Sequence, residues 1–354
     1  MNQSIHSKTF TLASFFLLYL VLSTSTPAEA LEADKKKIYD TLTIYWENDA
    51  FAGTDRDYSN GFKITWSTPF SIDKAESHLP GWGHYFINKL PFVNDPETSR
   101  AVSISIGQDT YTPEDVLETT LIVNDRPYAG YLYSSTAFHN RTSTRKNSWE
   151  FQLGVVGPLS FAEETQNFIH DLVNSKRSEG WDHQLSNEIA LEAICESQWL
   201  FFNSGKGRGY DYDLIPHMGF RIGNVTTYIN AGAEVRFGLN LPGNFGSCPI
   251  RAGCATNSAF NDAPPSNRGA GFSGWHLFFA VDGRAVFHDI FLDGNTFKDS
   301  HSVKREVWVA DLMAGIAFDF GNVRTTYSYV LRTKQFETDE NKHIFGSLSL
   351  SWSY

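Results

Sequence analysis

Past residue 30 the sequence has no uninterrupted apolar run of about 18 residues, which excludes a bundle of membrane-spanning helices. Cysteine and methionine are scarce, three of each in 354 residues. Cys195, Cys248 and Cys254 form no C-x-x-C pair, and no histidine stands at zinc-site spacing from them, so a structural zinc centre is not expected. Cys248 and Cys254, six apart in a Gly/Pro/Asn-rich stretch, are expected to close a small loop in an oxidising compartment, with Cys195 packed as a thiol inside a strand-like run. Positive charge is also short: 29 Lys and Arg face 40 Asp and Glu, a net charge of -11. That balance leaves no broad basic footprint for nucleic acid. The chain contains no internal repeat, no second domain and no low-complexity linker.

What the sequence does have lies first at its two ends. Phe10 to Leu22 is a short apolar run followed by Ala28-Glu29-Ala30. A run of this length ending in an A-x-A site reads as a secretory signal peptide over 1–30, and the mature chain is 31–354. Lys8 and Glu29 cancel, so removing the leader leaves the net charge unchanged. At the other end, Leu348, Leu350, Trp352 and Tyr354 alternate with Ser347, Ser349, Ser351 and Ser353. This period of two puts an apolar, aromatic-ended face on one side of a strand and small polar groups on the other. Lipid outside and a wet interior inside would produce that pattern, as in the closing strand of an outer-membrane β-barrel. Aromatics at 15% of the chain suit the girdles of such a barrel; an exported β-sandwich with an aromatic core is the competing fold.

About twelve strand-like segments follow residue 40, near 41–49, 60–68, 100–110, 130–142, 147–157, 189–202, 212–223, 226–239, 275–288, 303–320, 323–336 and 343–354. An even number brings both termini to the periplasmic side, and spanning strands need about 9–11 residues. With strand one running outward, 50–58, 111–129 and 158–188 are extracellular, and 69–99 and 240–274 are periplasmic. The last two are longer than periplasmic turns usually are.

Three stretches carry groups capable of chemistry. Ser160-Phe161-Ala162-Glu163 reads as a capping box opening a helix near 160–177. Its apolar stripe is Phe161, Thr165, Phe168, Ile169, Leu172 and Val173, and its polar side carries Glu163, Gln166, Asn167, His170 and Asn174. Laying the apolar stripe on the barrel rim would aim His170 into a crevice, where it could serve as a general base. A solvated histidine on a surface helix has the same spacing. The second stretch, Glu47-Asn48-Asp49 to Ser59-Asn60-Gly61, converges carboxylate, amide and hydroxyl groups at the ends of two strands, a set of hard oxygens that suits Ca²⁺. A polar hairpin loop held by Arg56–Asp pairs reads equally well. In the third, Asn124-Asp125-Arg126-Pro127, Arg126 could grip a phosphate with two parallel bonds; pairing with Asp125 or with a carboxylate inside the barrel is the alternative.

In order, E-N-D…T-D-R-x-Y-S-N-G, Q-D-x-Y-x-P, N-D-R-P-Y-A-G and G-V-V-G-P…Q-N-x-x-H…G-W-x-x-Q-L…N-E resemble the lipid A 3'-O-deacylase family of outer-membrane enzymes, from about Thr41 to Tyr354. The resemblance implies an all-β, twelve-stranded membrane barrel with one extracellular loop helix. It also implies a Ca²⁺-dependent ester hydrolase that removes the 3'-linked acyloxyacyl group from lipid A in the outer leaflet. Carried over residue by residue, it implies Asn48, Asp49, Ser59 and His170 as catalytic residues, with His170 activating water. Lipid A phosphates make Arg56 and Arg126 the expected headgroup contacts. At one position the chain departs from the family: a glutamate six residues after the helix histidine is replaced by Lys176. Metal ligands are then expected among Asp49, Glu47 and Glu179, with Asp171 as a further candidate. The expected molecule is a monomer whose site lies near the extracellular face. An outer-membrane phospholipase with a Ser59/His170 site, or a barrel without enzymatic activity, are the alternative functions.

Overall fold

The computed structural model describes residues 40–49, 58–70, 81–95, 98–173, 176–202, 209–247, 271–339 and 342–354. The expected signal peptide and both Cys248 and Cys254 lie outside them. Twelve antiparallel strands close into a barrel in which each strand pairs with its sequence neighbours and β1 pairs with β12. They are β1 (Thr41–Asn48), β2 (Tyr58–Phe70), β3 (Ser99–Tyr111), β4 (Ala129–Arg141), β5 (Arg145–Val156), β6 (Glu188–Trp199), β7 (Tyr210–Gly223), β8 (Thr226–Leu239), β9 (Phe272–Asp289), β10 (Trp308–Phe320), β11 (Val323–Arg332) and β12 (His343–Ser353). Three short helices accompany them: α1 (Gly81–Ile87), α2 (Ala162–Val173) and α3 (Ile290–Asp293). Among the described residues no helix is long and apolar enough to cross a membrane.

The serines of β12 explain the closure. Ser353 and Ser351 stand opposite Thr41 and Thr43, and their hydroxyls meet at 3.0 Å in both pairs. The same tier continues inside the wall through Thr65–Ser105 at 3.0 Å and Ser67–Ser103 at 2.7 Å. Small hydroxyl groups leave no backbone edge and no unbonded polar group at the seam. On the opposite face Trp352 and Tyr354 are exposed, as lipid contact requires.

Charges fill the remaining interior in pairs. Lys63 bonds Glu150 at 3.3 Å, Arg221 bonds Glu192, Arg284 and Arg332 share Asp311, and Arg236 forks onto Asp213. A lone buried charge would be costly, whereas a paired and hydrogen-bonded one is tolerated. Among the ion pairs a cavity of about 130 Å³ faces Glu47, Lys63 and Arg126.

Both ends are stoppered. At the end away from the termini, Phe291 of α3 stacks on Tyr111 at 4.0 Å, and the loop after β11 crosses to the loop before β4 through Thr338 Oγ1 donating to the Asn124 carbonyl. Residues 303–307 and 333–336, whose alternation resembles strand, are drawn into this cover and touch through an isolated Arg305–Phe336 bridge. At the other end the start of the long 240–271 connection turns into the barrel, where Phe245 is buried with Ile215 and Leu200. Ser247 there accepts from or donates to His276 at 2.7 Å. Cys195 is a buried free thiol, as expected.

Candidate active site

Lys63–Glu150 and the hydroxyl tier fix which residues point inward, so on β1 to β4 the even-numbered side chains point outward. At mid-wall these are apolar and exposed, as with Ile104 and Ile106. At the outer ends the pattern changes: Asn48, Asn60 and Thr110 point outward, are polar, and are nonetheless buried. They form a row with Gly130. Asn60 stands opposite Thr110 and Thr110 opposite Gly130, while Asn48 lies one residue beyond the Glu47–Gly61 pair. Trp46 Nε1 donates to Asn60 Oδ1 at 2.8 Å and fixes that amide.

What buries the row from outside is the β5–β6 connection. The chain leaves β5 through Gly157 at φ 97°, where a Cβ would come within 2.7–2.8 Å of the backbone of 185–187. Pro158–Ser160 then forms a 3-10 turn, and Phe161 takes a left-handed conformation (φ 58°) before α2 begins. Gln108 Nε2 donates to the Ser160 carbonyl at 2.6 Å. Gly130 is required here, since a Cβ would lie 2.0 Å from Ser160 Oγ and 2.3 Å from Ala162 Cβ. The helix touches both β4 and β3.

The expected capping box does not form: Ser160 Oγ has no hydrogen-bond partner, and Phe161 separates it from the helix. The facing of α2 is also the reverse of the expected one. Ala162, Gln166 and His170, at i, i+4 and i+8, are the buried side, whereas Phe161 and Phe168 are 55% and 67% exposed. Outside a membrane barrel the apolar phase is the lipid, so the apolar stripe turns outward and the polar one turns to the protein. Trp181 secures the polar side by donating from Nε1 to Gln166 Oε1 at 3.0 Å while its ring packs on Tyr128.

His170 is 8% exposed and its Nδ1 has no partner. Thr110 Oγ1, Ser160 Oγ, Asn167 Oδ1 and Ser178 Oγ are likewise buried and unpartnered. These five atoms lie on α2, the turn before it, the loop after it and β3, and leave the seam between the helix and the wall with hydrogen-bonding capacity to spare. Glu163, half-buried at the helix start, has its carboxyl held above the usual range by burial and by Glu164 and Asp182. Asp171 on the exposed side is held below that range by the Arg177 fork, with Nε to Oδ1 at 2.9 Å.

The other expected residues are dispersed. Asp49 is buried in the turn ending β1, and Ser59 belongs to β2 at its bulge; Arg56 lies outside the described residues. Arg126, expected at the headgroup, is buried under the mouth loops, where it donates to Gln335 Oε1 at 2.9 Å, lies over the Phe336 ring and ties the loops together. Glu47 points inward, the opposite way from Asn48. Glu179 is exposed, with its backbone bound to Val116. Among the described residues no three Asp, Glu, His or Cys side chains converge as a metal site. Of the expected ligands, Glu47 faces the barrel interior, Glu179 is exposed and Asp171 pairs with Arg177, while residues 50–57 next to Asp49 lie outside the described ones.

Asn60, Gln108, Thr110, Gly130, Gln166 and Trp181 were not expected as site residues. For those on the strands the signal was present in the alternation: outward positions of four neighbouring strands turn from apolar to polar or glycine at the same height.

A family model described as outer membrane protein LpxR matches residues 15–354. Among solved structures, LpxR from Salmonella typhimurium has a TM-score of 0.69 at 19% identity over 88% of this chain and 99% of that one, which establishes a shared fold. The β domain of the Bordetella autotransporter BrkA gives 0.41 at 8% identity over 90% and 98% of the two chains. The translocator domain of NalP from Neisseria meningitidis gives 0.36 at 10% over 98% and 98%. No curated protein matches the sequence.

Proposed function

Because the chain belongs to the LpxR family of outer-membrane proteins, we propose that it is an outer-membrane hydrolase that removes the 3'-linked acyloxyacyl group from lipid A. The observation carrying this reading is the seam between α2 and the β3–β4 wall, where Thr110, Ser160 and His170 hold buried polar atoms without partners and Phe161 and Phe168 are exposed on the helix. A substrate with a polar ester and long acyl chains meets both requirements there.

Ala162 is fixed over Gly130 on β4, and α2 reaches across β3. Eight residues of helical rise cover about 12 Å, the width of two to three strands at about 4.8 Å. On this reading α2 crosses the strands and carries His170 toward the β2–β1 end of the row, where Asn60 and Asn48 stand. There His170 takes a proton from water as the water oxygen bonds to the ester carbonyl carbon. The carbonyl oxygen gains the electron pair and is held by donors from the wall, the Asn48 amide and the Thr110 hydroxyl. One well-placed donor of this kind contributes about 3–4 kcal/mol. Collapse breaks the bond to the sugar oxygen, which takes the proton from His170, leaving a free acid and a free hydroxyl.

Purified protein incubated separately with lipid A and with glycerophospholipid, with products read by mass spectrometry, tests the substrate class. Loss of the 3'-linked pair from lipid A alone supports the reading; cleavage of glycerophospholipid alone makes the protein a phospholipase.

A further inference from the structure

At the end of the barrel that carries the termini, residues 88–95 of the connection between β2 and β3 fold up against the outside of the wall. Val93 is fully buried between the outward side chains of Val102 on β3 and Phe138 on β4, with Leu90, Trp149 and Phe151 around it. The wall satisfies the backbone of this segment. Trp149 Nε1 donates to the Pro91 carbonyl and Asn147 Nδ2 to the Phe92 carbonyl, both at 2.9 Å. Arg100, pointing outward, donates to Asn88 Oδ1 and to the Asn94 carbonyl, both at 3.0 Å. Residues 88–95 thus cover polar groups that hydrocarbon would not tolerate.

The far side of the same segment is aromatic and uncovered. Tyr85, Phe86 and Phe92 are 65%, 51% and 58% exposed. Phe92 holds φ at 67°, a conformation unusual for a bulky residue that is kept here by the wall contacts on either side of it. Lys89 places its ammonium 6.0 Å over the Tyr85 ring. Aromatic rings with a neighbouring lysine are the residues that favour the boundary between acyl chains and headgroups.

We propose that residues 81–95 form a foot that inserts Tyr85, Phe86 and Phe92 into the periplasm-side leaflet of the outer membrane, at the level of the phospholipid headgroups. The surface is continuous with the lipid-facing wall, where Ile104, Ile106 and Leu153 are exposed directly above it. Its height fits as well. From Val102, which the foot covers, to Thr110 at the seam under α2 is eight residues of β3, about 26 Å of strand. At a tilt of about 40° this is roughly 20 Å along the membrane normal, within the apolar band of about 25 Å. The foot and the seam therefore sit at the two opposite interfaces of one bilayer.

The test uses the full-length protein with Cys195, Cys248 and Cys254 changed to Ser and a spin label at Phe86→Cys, reconstituted in phosphatidylethanolamine/phosphatidylglycerol vesicles. Labels at Leu153→Cys and Ser143→Cys give the lipid and water references. The expected ratio of oxygen to nickel-chelate collisions at Phe86 is several-fold above Ser143 and below that at Leu153, as a position at headgroup level requires. A ratio equal to that at Ser143 overturns the foot, as does exclusion of both colliders with spin–spin broadening that grows with protein density, which would mean a second copy covers the surface. If Phe86→Cys does not give the heat-modifiable band of a closed barrel, Tyr85→Cys is read by the same criteria.

Discussion

A hydroxyl buried on the outside of a membrane barrel has neither water nor lipid to bond, so an unpartnered one must be kept for something that arrives. Thr110 is such a residue, fully buried between Asn60 and Gly130 with no hydrogen-bond partner. Replacing it with the near-isosteric valine is expected to lower kcat about 10²-fold with KM little changed, the size of effect seen when one oxyanion donor is lost. Thr110→Ser should recover most of the rate in the same lipid A assay, and equal activity of the valine variant would remove Thr110 from the reaction. Arg126 belongs to a different class. Its guanidinium ties Gln335 and Phe336 across the mouth, so Arg126→Ala is expected to leave KM for lipid A unchanged and to cost about 1–3 kcal/mol of stability through its broken buried bonds. A urea-unfolding series checks this, and a raised KM at wild-type stability would restore Arg126 as a headgroup contact. Sequence could not separate these two residues. Arg126 owes its burial to a loop about 210 positions away, whereas Thr110 owes its outward direction to alternation within its own strand.

At the level of elements, α2 is where local reading and membrane context part. Its existence and the inward aim of His170 are legible in residues 160–177, because helical spacing alone puts Gln166 and His170 on one side. Its facing was not legible, since the rule that apolar stripes go inward assumes water outside. The exposed Phe161 and Phe168 are expected to hold the helix in the outer leaflet. Replacing both with serine should raise KM for lipid A presented in bilayers while leaving turnover of detergent-dispersed lipid A near that of the parent protein. Equal loss in both assays would mean that the aromatics serve the helix fold instead. Gly130 tests the same element from the wall side. A methyl group there meets Ser160 and Ala162 at 2.0–2.3 Å and would push α2 away. Gly130→Ala is therefore expected to abolish most activity while the barrel keeps its heat-modifiable mobility on gels.

For the whole molecule, the twelve strands were legible because lipid and water impose a period of two on each one, and serines opposite leucines in β12 already name the two solvents. The ends of β10 and β11 were misread because 303–307 and 333–336 keep the alternation while serving as mouth loops. The purpose of 240–274 was hidden for a related reason: Phe245 is buried against Leu200, just past β6, and Ile215 of β7, contacts no local pattern announces. With the interior paired and both ends stoppered, the barrel should show no stable single-channel conductance in planar bilayers, and steady openings would contradict the described packing. Mass spectrometry of lipid A from cells making the intact protein, against cells making equal folded amounts of His170→Ala, decides whether a lipid A hydrolase works from the seam under α2. Loss of the 3'-linked acyloxyacyl mass is expected with the intact protein and unmodified lipid A with the variant. The same loss with both proteins, or with neither, would overturn that reading.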